Sequence, residues 1–266
     1  MKTFHDTFAT KKPIIAMAHL PPLPGTPKHD HAGGMEAVID SVLRDVEALQ
    51  AGGVDAIMFG NEGDRPYVTR ATPETLAAMA VVVARVSPTL RVPFGVNYLW
   101  DPEASVALAH AVGARFVREI FTGVYESDMG LWEPRGGAAV KLRSQLRSDH
   151  LLFFNVNAEF ASLIGSRSVA SRAQSAVFAG LADGVCVSGP MTGQPVAVSD
   201  IAGVKEVLPD VPVIANTGVR LENVAKVLEV ADAAIVGTSL KRDGNTWSAV
   251  DPERVHRFME TVRSLR

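Results

Sequence analysis

Residues 211–240 read VPVIANTGVRLENVAKVLEVADAAIVGTSL, and this segment carries the clearest fold signal in the 266-residue chain. Two short apolar runs, 211–215 and 233–236, flank a stretch from about 221 to 230 with the apolar spacing of a helix. A glycine-containing turn follows each run. A strand, a helix and a second strand in this order predict parallel strands, because the helix carries the chain back to begin the next strand in the same direction.

The same unit recurs along the whole chain, with no break in composition. Eight predicted strands cover residues 13–19, 54–59, 93–98, 116–121, 151–156, 184–187, 211–215 and 233–236. The predicted helices cover residues 34–51, 72–87, 101–112, 137–147, 168–181, a stretch beginning at 199, 221–230 and 251–263. Eight units predict a closed (β/α)8 barrel, a single TIM-barrel domain over residues 1–266. An open doubly wound sheet is the alternative, although its usual G-x-G-x-x-G turn is absent from the sequence.

Two segments fall outside the repeat. Residues 1–12 form an N-terminal extension, and residues 122–136 form the longest irregular connection. Long connections of this kind often act as lids over a site, so 122–136 is a candidate lid.

Composition excludes several classes of partner. With 26 basic and 29 acidic residues, the formal net charge is -3, so the chain lacks the excess of basic residues that is typical of nucleic-acid-binding proteins. No apolar run is long enough for a membrane span or a signal peptide. The single cysteine, Cys186, excludes an intramolecular disulfide and fits a reducing compartment. These features predict a cytoplasmic protein with a small-molecule ligand. Apolar positions on the first two helices are explained by packing on the barrel, and a homo-oligomer stays open.

In a (β/α)8 barrel, functional residues gather at the carboxyl ends of the strands. The polar residues that follow the predicted strands supply the candidates. The candidate acids and bases are His19, Glu62, Asp64, Asp101, Glu119 and Asp128. The candidate substrate-binding residues are Asn61, Asn97, Asn155, Asn157, Asn216 and Lys241. Glu159 is a further carboxylate at the same edge. Such carboxylates suit either an acid/base pair or a hard cation such as Mg²⁺, and no metal or other cofactor is firmly predicted. Ion pairs of Asp64 with Arg65, or Glu119 with Arg118, are the structural alternative.

A phosphate site is predicted where the turns after the last two strands meet. Many barrels hold a phosphate there on backbone amides that small residues leave accessible. The candidate phosphate-binding residues are Ser188, Gly189, Gly218, Gly237 and Thr238. The alternative is that the glycines only make tight turns.

The first strand ends in His19 followed by the stiff segment LPPLPG, so His19 is predicted either to act in the site or to bond to its own loop. His29 and His31 form an HxH pattern that can bind a metal, but in a glycine-rich loop such residues are more often solvated.

Six segments together resemble the BtpA/SgcQ family: HLPPLPG at 19–25, AGGVDAIMFGNEGDRP at 51–66, SDMGLWE at 127–133, SGPMTGQP at 188–195, NTGVRLENV at 216–224 and VGTSLKRDG at 236–244. The resemblance implies a TIM barrel of the ribulose-phosphate-binding type. In that family the founding cyanobacterial member is linked to photosystem I biogenesis, and other members lie among sugar-transport and sugar-kinase genes. His19, Asp128 and Lys241 match family motifs.

The chain departs from the family pattern after the second and fifth strands. Relatives tend to have Glu-Asn-Phe-Gly-Asp where this chain has NEGD at 61–64, and His-x-Lys-His where it has NVNAEF at 155–160. The expected function is an isomerase or lyase acting on a small phosphorylated metabolite, a sugar or nucleoside phosphate. The alternative from another class is a non-catalytic assembly or regulatory factor, with a photosystem-related role. A changed substrate or reaction stays open.

Overall fold

A computed structural model describes residues 3–266 of the chain. Its strands are β1 (Ile14–His19), β2 (Ala56–Gly60), β3 (Phe94–Asn97), β4 (Phe116–Glu119), β5 (Tyr125–Ser127), β6 (Gly130–Trp132), β7 (Leu151–Asn155), β8 (Ala161–Leu163), β9 (Gly184–Ser188), β10 (Val213–Asn216) and β11 (Ala233–Val236). Its helices are α1 (Phe4–Thr7), α2 (Gly34–Gly52), α3 (Pro73–Val86), α4 (Pro102–Val112), α5 (Gly136–Gln145), α6 (Val169–Phe178), α7 (Val198–Val207), α8 (Val224–Val230) and α9 (Pro252–Arg263).

Eight strands close into a parallel barrel in the order β1-β2-β3-β4-β7-β9-β10-β11, with β11 hydrogen-bonded back to β1. The predicted (β/α)8 barrel is confirmed, and the open doubly wound sheet is excluded. All eight barrel strands therefore end at the same face, where the loops that follow them meet.

Alternation along the strands separates two apolar cores. Outward residues pack against the helices, whereas inward residues such as Ile15, Phe116 and Phe153 fill the barrel. The N-terminal extension closes the amino end, because Phe4 and Phe8 of the α1 segment pack on those rings. Residues 1 and 2 of the predicted extension lie outside the described residues. Polar side chains replace apolar ones at the carboxyl end of the barrel, which leaves that end for a site.

The segment predicted as irregular, 122–136, is in part a β-hairpin. Strands β5 and β6 pair antiparallel, and β8 adds a third strand on the other side of β5. Strands of three residues are too short to show periodicity, and burial of Tyr125 and Trp132 beside Trp100 holds them in place.

Helix α8 begins at Val224, later than predicted, because the Asn223 side chain instead accepts the amide of Arg220 in a turn. No helix in residues 3–266 has the length and apolar character needed to cross a bilayer.

Candidate functional site

A cavity of about 480 Å³ opens at the carboxyl end of the barrel. It is lined by these predicted site residues: His19, Glu62, Glu119, Asn155, Asn216, Gly218, Gly237 and Thr238. The volume is in the range that holds small-molecule ligands.

At the floor of the cavity, the imidazole of His19 meets the carboxyl group of Glu62. His19 ends β1, Glu62 follows β2, and Nε2 lies 3.4 Å from Oε1. Two glycines make room for the pair. A Cβ atom at Gly60 would lie 2.5 Å from Glu62 Oε2, and one at Gly237 would lie 3.1 Å from the His19 ring. The sequence places glycine where the pair needs space on both sides.

Burial sets the protonation of this pair. It lowers the pKa of His19 to about 3, with help from the nearby charges of Lys241 and Arg118. It raises the pKa of Glu62. Both shifts favour the neutral forms, in which the two side chains share one hydrogen bond between Nε2 and Oε1. Within residues 3–266, Glu62 Oε2 is buried without a hydrogen-bond partner, and His19 Nδ1 has none of full geometry, although the backbone of Thr246 acts on the ring and favours its protonated form.

Glu119 lines the same cavity from the end of β4. Its Oε1 accepts the amide of Ile120 at 2.9 Å, and its Oε2 accepts the amide of Trp100 at 3.3 Å and the side-chain NH₂ group of Asn97. Burial raises the pKa of Glu119 to about 7, although these hydrogen bonds act in the opposite direction. A carboxyl group that titrates near neutrality is matched to general acid or base work. Asn97 positions Glu119 from beneath and does not itself line the cavity.

Arg118 also lines the cavity, and the sequence reasoning did not select it as a site residue. Its side chain is buried, and its Nε has no hydrogen-bond partner among residues 3–266. In that same part of the chain it forms no ion pair, so the considered pairing with Glu119 is not formed. Period-2 alternation from Phe116, which points into the barrel, would have identified Arg118 as an inward residue.

A polar network crosses the far side of the floor. Asn216 Nδ2 donates to Ser188 Oγ at 2.7 Å, and Ser188 Oγ donates to Asn155 Oδ1 at 2.8 Å. Asn216 Nδ2 also reaches Glu159 Oε1 at 3.3 Å, and burial raises the pKa of Glu159. Ser188 therefore orients two asparagines, a role different from the predicted phosphate contact.

The turns after β10 and β11 lie side by side, as Ser239 Oγ donates to Val219 O at 2.9 Å. The amides of Gly218, Val219, Thr238 and Ser239 have no hydrogen-bond acceptor within residues 3–266. Arg254 and Arg257 of α9 line this end of the cavity. The two arginines are three residues apart on the last helix and therefore share one of its faces, which the sequence alone indicates.

Gly189 does not share this role, because its amide already donates to Thr217 Oγ1 at 2.6 Å. Asn157 is likewise engaged, since its side chain bonds both the amide and the carbonyl of Ser188. Neither residue lines the cavity.

Asn61 and Asp64 hold the loops that carry His19 and Glu62. Asp64 Oδ1 accepts the amide of Leu23 at 2.8 Å, Asp64 Oδ2 accepts Asn61 Nδ2 at 3.0 Å, and Asn61 Oδ1 accepts the amide of Leu99 at 2.8 Å. These bonds tie the loops after β1, β2 and β3 together. The considered ion pair between Asp64 and Arg65 is not formed within the described residues, and Arg65 lies over the Trp247 ring instead.

Three further candidates lie away from the cavity. Asp101 caps α4 by accepting the amide of Ala104 at 3.0 Å, and Asp128 is exposed in the turn between β5 and β6. Lys241 is buried and donates to Asp45 Oδ2 at 2.9 Å. These positions follow strands in the sequence, but their side chains serve the fold or face solvent.

One wall of the cavity is aromatic and includes Tyr67, Trp100 and Phe160, which belong to the cluster beneath the β5–β6 hairpin. Within residues 3–266, no three His, Cys, Asp or Glu side chains form a metal-binding group. His29 and His31 contact each other edge to face, and His29 Nδ1 lies 2.9 Å from Pro22 O.

Sequence comparison places this barrel among known relatives. The profile of the BtpA family matches residues 10–264. The putative sgc region protein SgcQ of Escherichia coli is 45% identical over 100% of both chains. The photosystem I biogenesis protein BtpA of Synechocystis is 34% identical, over 97% of this chain and 90% of the relative.

The fold is shared more widely. The phosphoribosyl anthranilate isomerase of Thermococcus kodakaraensis superposes with a TM-score of 0.53 at 14% identity, over 95% of this chain and 99% of the other. At this identity the likeness concerns the barrel alone.

Proposed function

The chain belongs to the BtpA family, and on that premise we propose that it is an enzyme acting on a small phosphorylated metabolite, a sugar or nucleoside phosphate, by acid/base isomerisation or lyase chemistry. The observation that carries the proposal is the buried contact between His19 Nε2 and Glu62 Oε1 inside a cavity of ligand size.

The paired turns after β10 and β11 support a phosphate-binding site at one end of the cavity, the phosphate end. Four amides without acceptors favour an anion, and the guanidinium group of Arg257 adds positive charge at the same end, whereas Arg254 is paired with Asp251. The phosphoribosyl anthranilate isomerase named above is, by its name, an enzyme of a phosphoribosyl compound on the same fold.

At the other end of the cavity, three side chains support proton transfer: Glu119, Glu62 and His19. Glu119, with a pKa near 7, is the proposed base that removes a proton next to a carbonyl group. Glu62, protonated on Oε2, is the proposed acid that donates to the developing oxyanion, and neutral His19 holds Glu62 in place by donating its Nε2–H to Oε1. The aromatic wall keeps water from this end of the cavity.

Calorimetric titration tests this proposal with matched compounds: ribulose 5-phosphate against ribulose, and adenosine monophosphate against adenosine. We expect the phosphorylated compound of at least one pair to bind at least 10-fold more tightly. Arg257→Gln should weaken that binding about 3- to 10-fold through loss of one charge-assisted contact. Arg44→Gln, on the exposed face of α2, is the matched control. Equal affinity within every pair at millimolar concentration would defeat the proposal.

A second candidate function, a partner-binding role in assembly or regulation, is supported by the rim of the barrel. Six loops at the carboxyl end each expose a large apolar side chain: Val68, Leu131, Ile164, Met191, Leu221 and Trp247. The Synechocystis relative is, by its name, a photosystem I biogenesis protein. Affinity capture with wild-type protein and a Leu131→Ser, Trp247→Ser double variant discriminates the roles. A partner lost with the variant, together with no small-molecule binding, would favour assembly.

A further inference from the structure

Arg118 lines the cavity from β4. It points inward from β4, and its charge lowers the pKa values of Glu62, Glu119, Glu159 and the Cys186 thiol against the larger effect of burial. Glu62 follows β2, Glu119 ends β4 beside Arg118, Glu159 follows β7 and Cys186 lies in β9. The Arg118 guanidinium group therefore acts on groups from four strands around the cavity.

This guanidinium has no counter-ion. The Arg118 residue is only 7% exposed, and among residues 3–266 no carboxylate oxygen lies within 4.0 Å of its nitrogens. A buried cation normally has a partner, because desolvation without one costs several kcal/mol. Burial raises the pKa values of Glu62, Glu119 and Glu159, which disfavours a permanent negative charge on these groups beside Arg118. An anionic ligand in the cavity would supply the missing partner.

We propose that Arg118 is a carboxylate-binding subsite, so that the substrate is a phosphorylated sugar acid. This proposal rests on the proposed function, which supplies the phosphate-binding end of the cavity. A guanidinium fork matches a planar carboxylate through two parallel hydrogen bonds. A single negative charge on the ligand also balances the single charge of Arg118, whereas a phosphate dianion would leave an excess beside three carboxyl groups. The amides near Gly218 and Thr238 supply a separate end for the phosphate.

Four probe compounds separate the two ends of the ligand. They are 6-phosphogluconate, sorbitol 6-phosphate, gluconate and sorbitol. Wild-type protein should bind 6-phosphogluconate about 10- to 100-fold more tightly than sorbitol 6-phosphate. Arg118→Gln should remove this preference while keeping the affinity for sorbitol 6-phosphate within 3-fold. Arg115→Gln is the matched control, because Arg115 precedes the same strand and is exposed at the amino end.

Arg118→Lys keeps the charge without the fork and should show an intermediate preference. It serves as the second variant if Arg118→Gln does not give a folded protein by circular dichroism. Equal binding of the two phosphorylated probes by wild type would overturn the carboxylate subsite alone. Arg118-dependent binding of gluconate, with no gain from phosphate, would support the subsite and defeat the proposed function. Absence of binding by all four probes would overturn the subsite and leave the phosphosugar proposal without support from this panel.

Discussion

Lys241 and Asp45 form a buried ion pair between the loop after β11 and helix α2, with Nζ 2.9 Å from Oδ2. Asp45 Oδ1 also accepts the amide of Val250 at 2.8 Å. The pair therefore fastens the last loop of the barrel to the first barrel helix, which explains why Lys241 follows a strand without entering the cavity.

Loss of the lysine should leave Asp45 as a buried charge without its counter-ion. We expect Lys241→Met to lower the free energy of unfolding by about 3 to 5 kcal/mol in urea titrations. Lys226→Met, at an exposed position of α8, should change it by less than about 0.5 kcal/mol. Equal stability of the two variants would show that the pair does not stabilise the fold.

Much of this arrangement follows from sequence pattern. The spacing of eight apolar runs predicts the barrel, and the position at or after a strand end selects His19 and Glu62, which line the cavity in the structure. Position alone cannot separate a residue that faces the cavity from one that caps a helix, because both follow a strand. Asp101 is the clearest case, because it is the N-cap of α4 and Pro102 and Glu103 form the first turn of that helix.

Arg118 is not predicted as a site residue from the sequence, for a different reason. Its neighbour Glu119 suggests an ion pair, but in the structure the Glu119 carboxyl group accepts the amides of Ile120 and Trp100 instead. The absence of a counter-ion depends on side chains from several strands that come together only in the closed barrel, so it is visible only in three dimensions.

Glu119 should make stability depend on pH. Its pKa rises from 4.5 to about 7 in the folded protein, so between these values the folded state binds more protons than the unfolded state. Stability from this group is therefore present below pH 4.5 and is lost as pH rises through 7. Relative to Glu119→Gln, wild type should gain about 3 kcal/mol of unfolding free energy between pH 8 and pH 4.5. Glu126→Gln, at an exposed position of β5, should follow wild type. A constant difference between wild type and Glu119→Gln at all pH values would contradict the raised pKa.

The β5–β6 hairpin depends on Trp132, whose ring centroid lies 5.0 Å from that of Trp100. We expect Trp132→Ala to lower the free energy of unfolding by about 3 to 5 kcal/mol, because a large buried ring is lost. Limited trypsin digestion should then cleave faster at Arg135, just beyond β6. Leu131→Ala removes a neighbouring side chain that is 75% exposed and should leave both measurements near wild type. If both variants behave alike, the hairpin is not held by its buried ring.

The contact between His19 and Glu62 should depend on the absence of a side chain at residue 60. In Gly60→Ala, the new Cβ would lie 2.5 Å from Glu62 Oε2, so the carboxyl group must move away from the imidazole. The cost in stability should stay near 1 kcal/mol, because the displaced atoms end a flexible side chain. Nitrogen NMR of the His19 ring reports the change, as loss of the Glu62 contact alters the Nε2 shift. Gly203→Ala, on α7 with no atom within 4 Å of the new Cβ, should leave the His19 signals unchanged. Unaltered His19 signals in Gly60→Ala would show that the two side chains do not interact in solution.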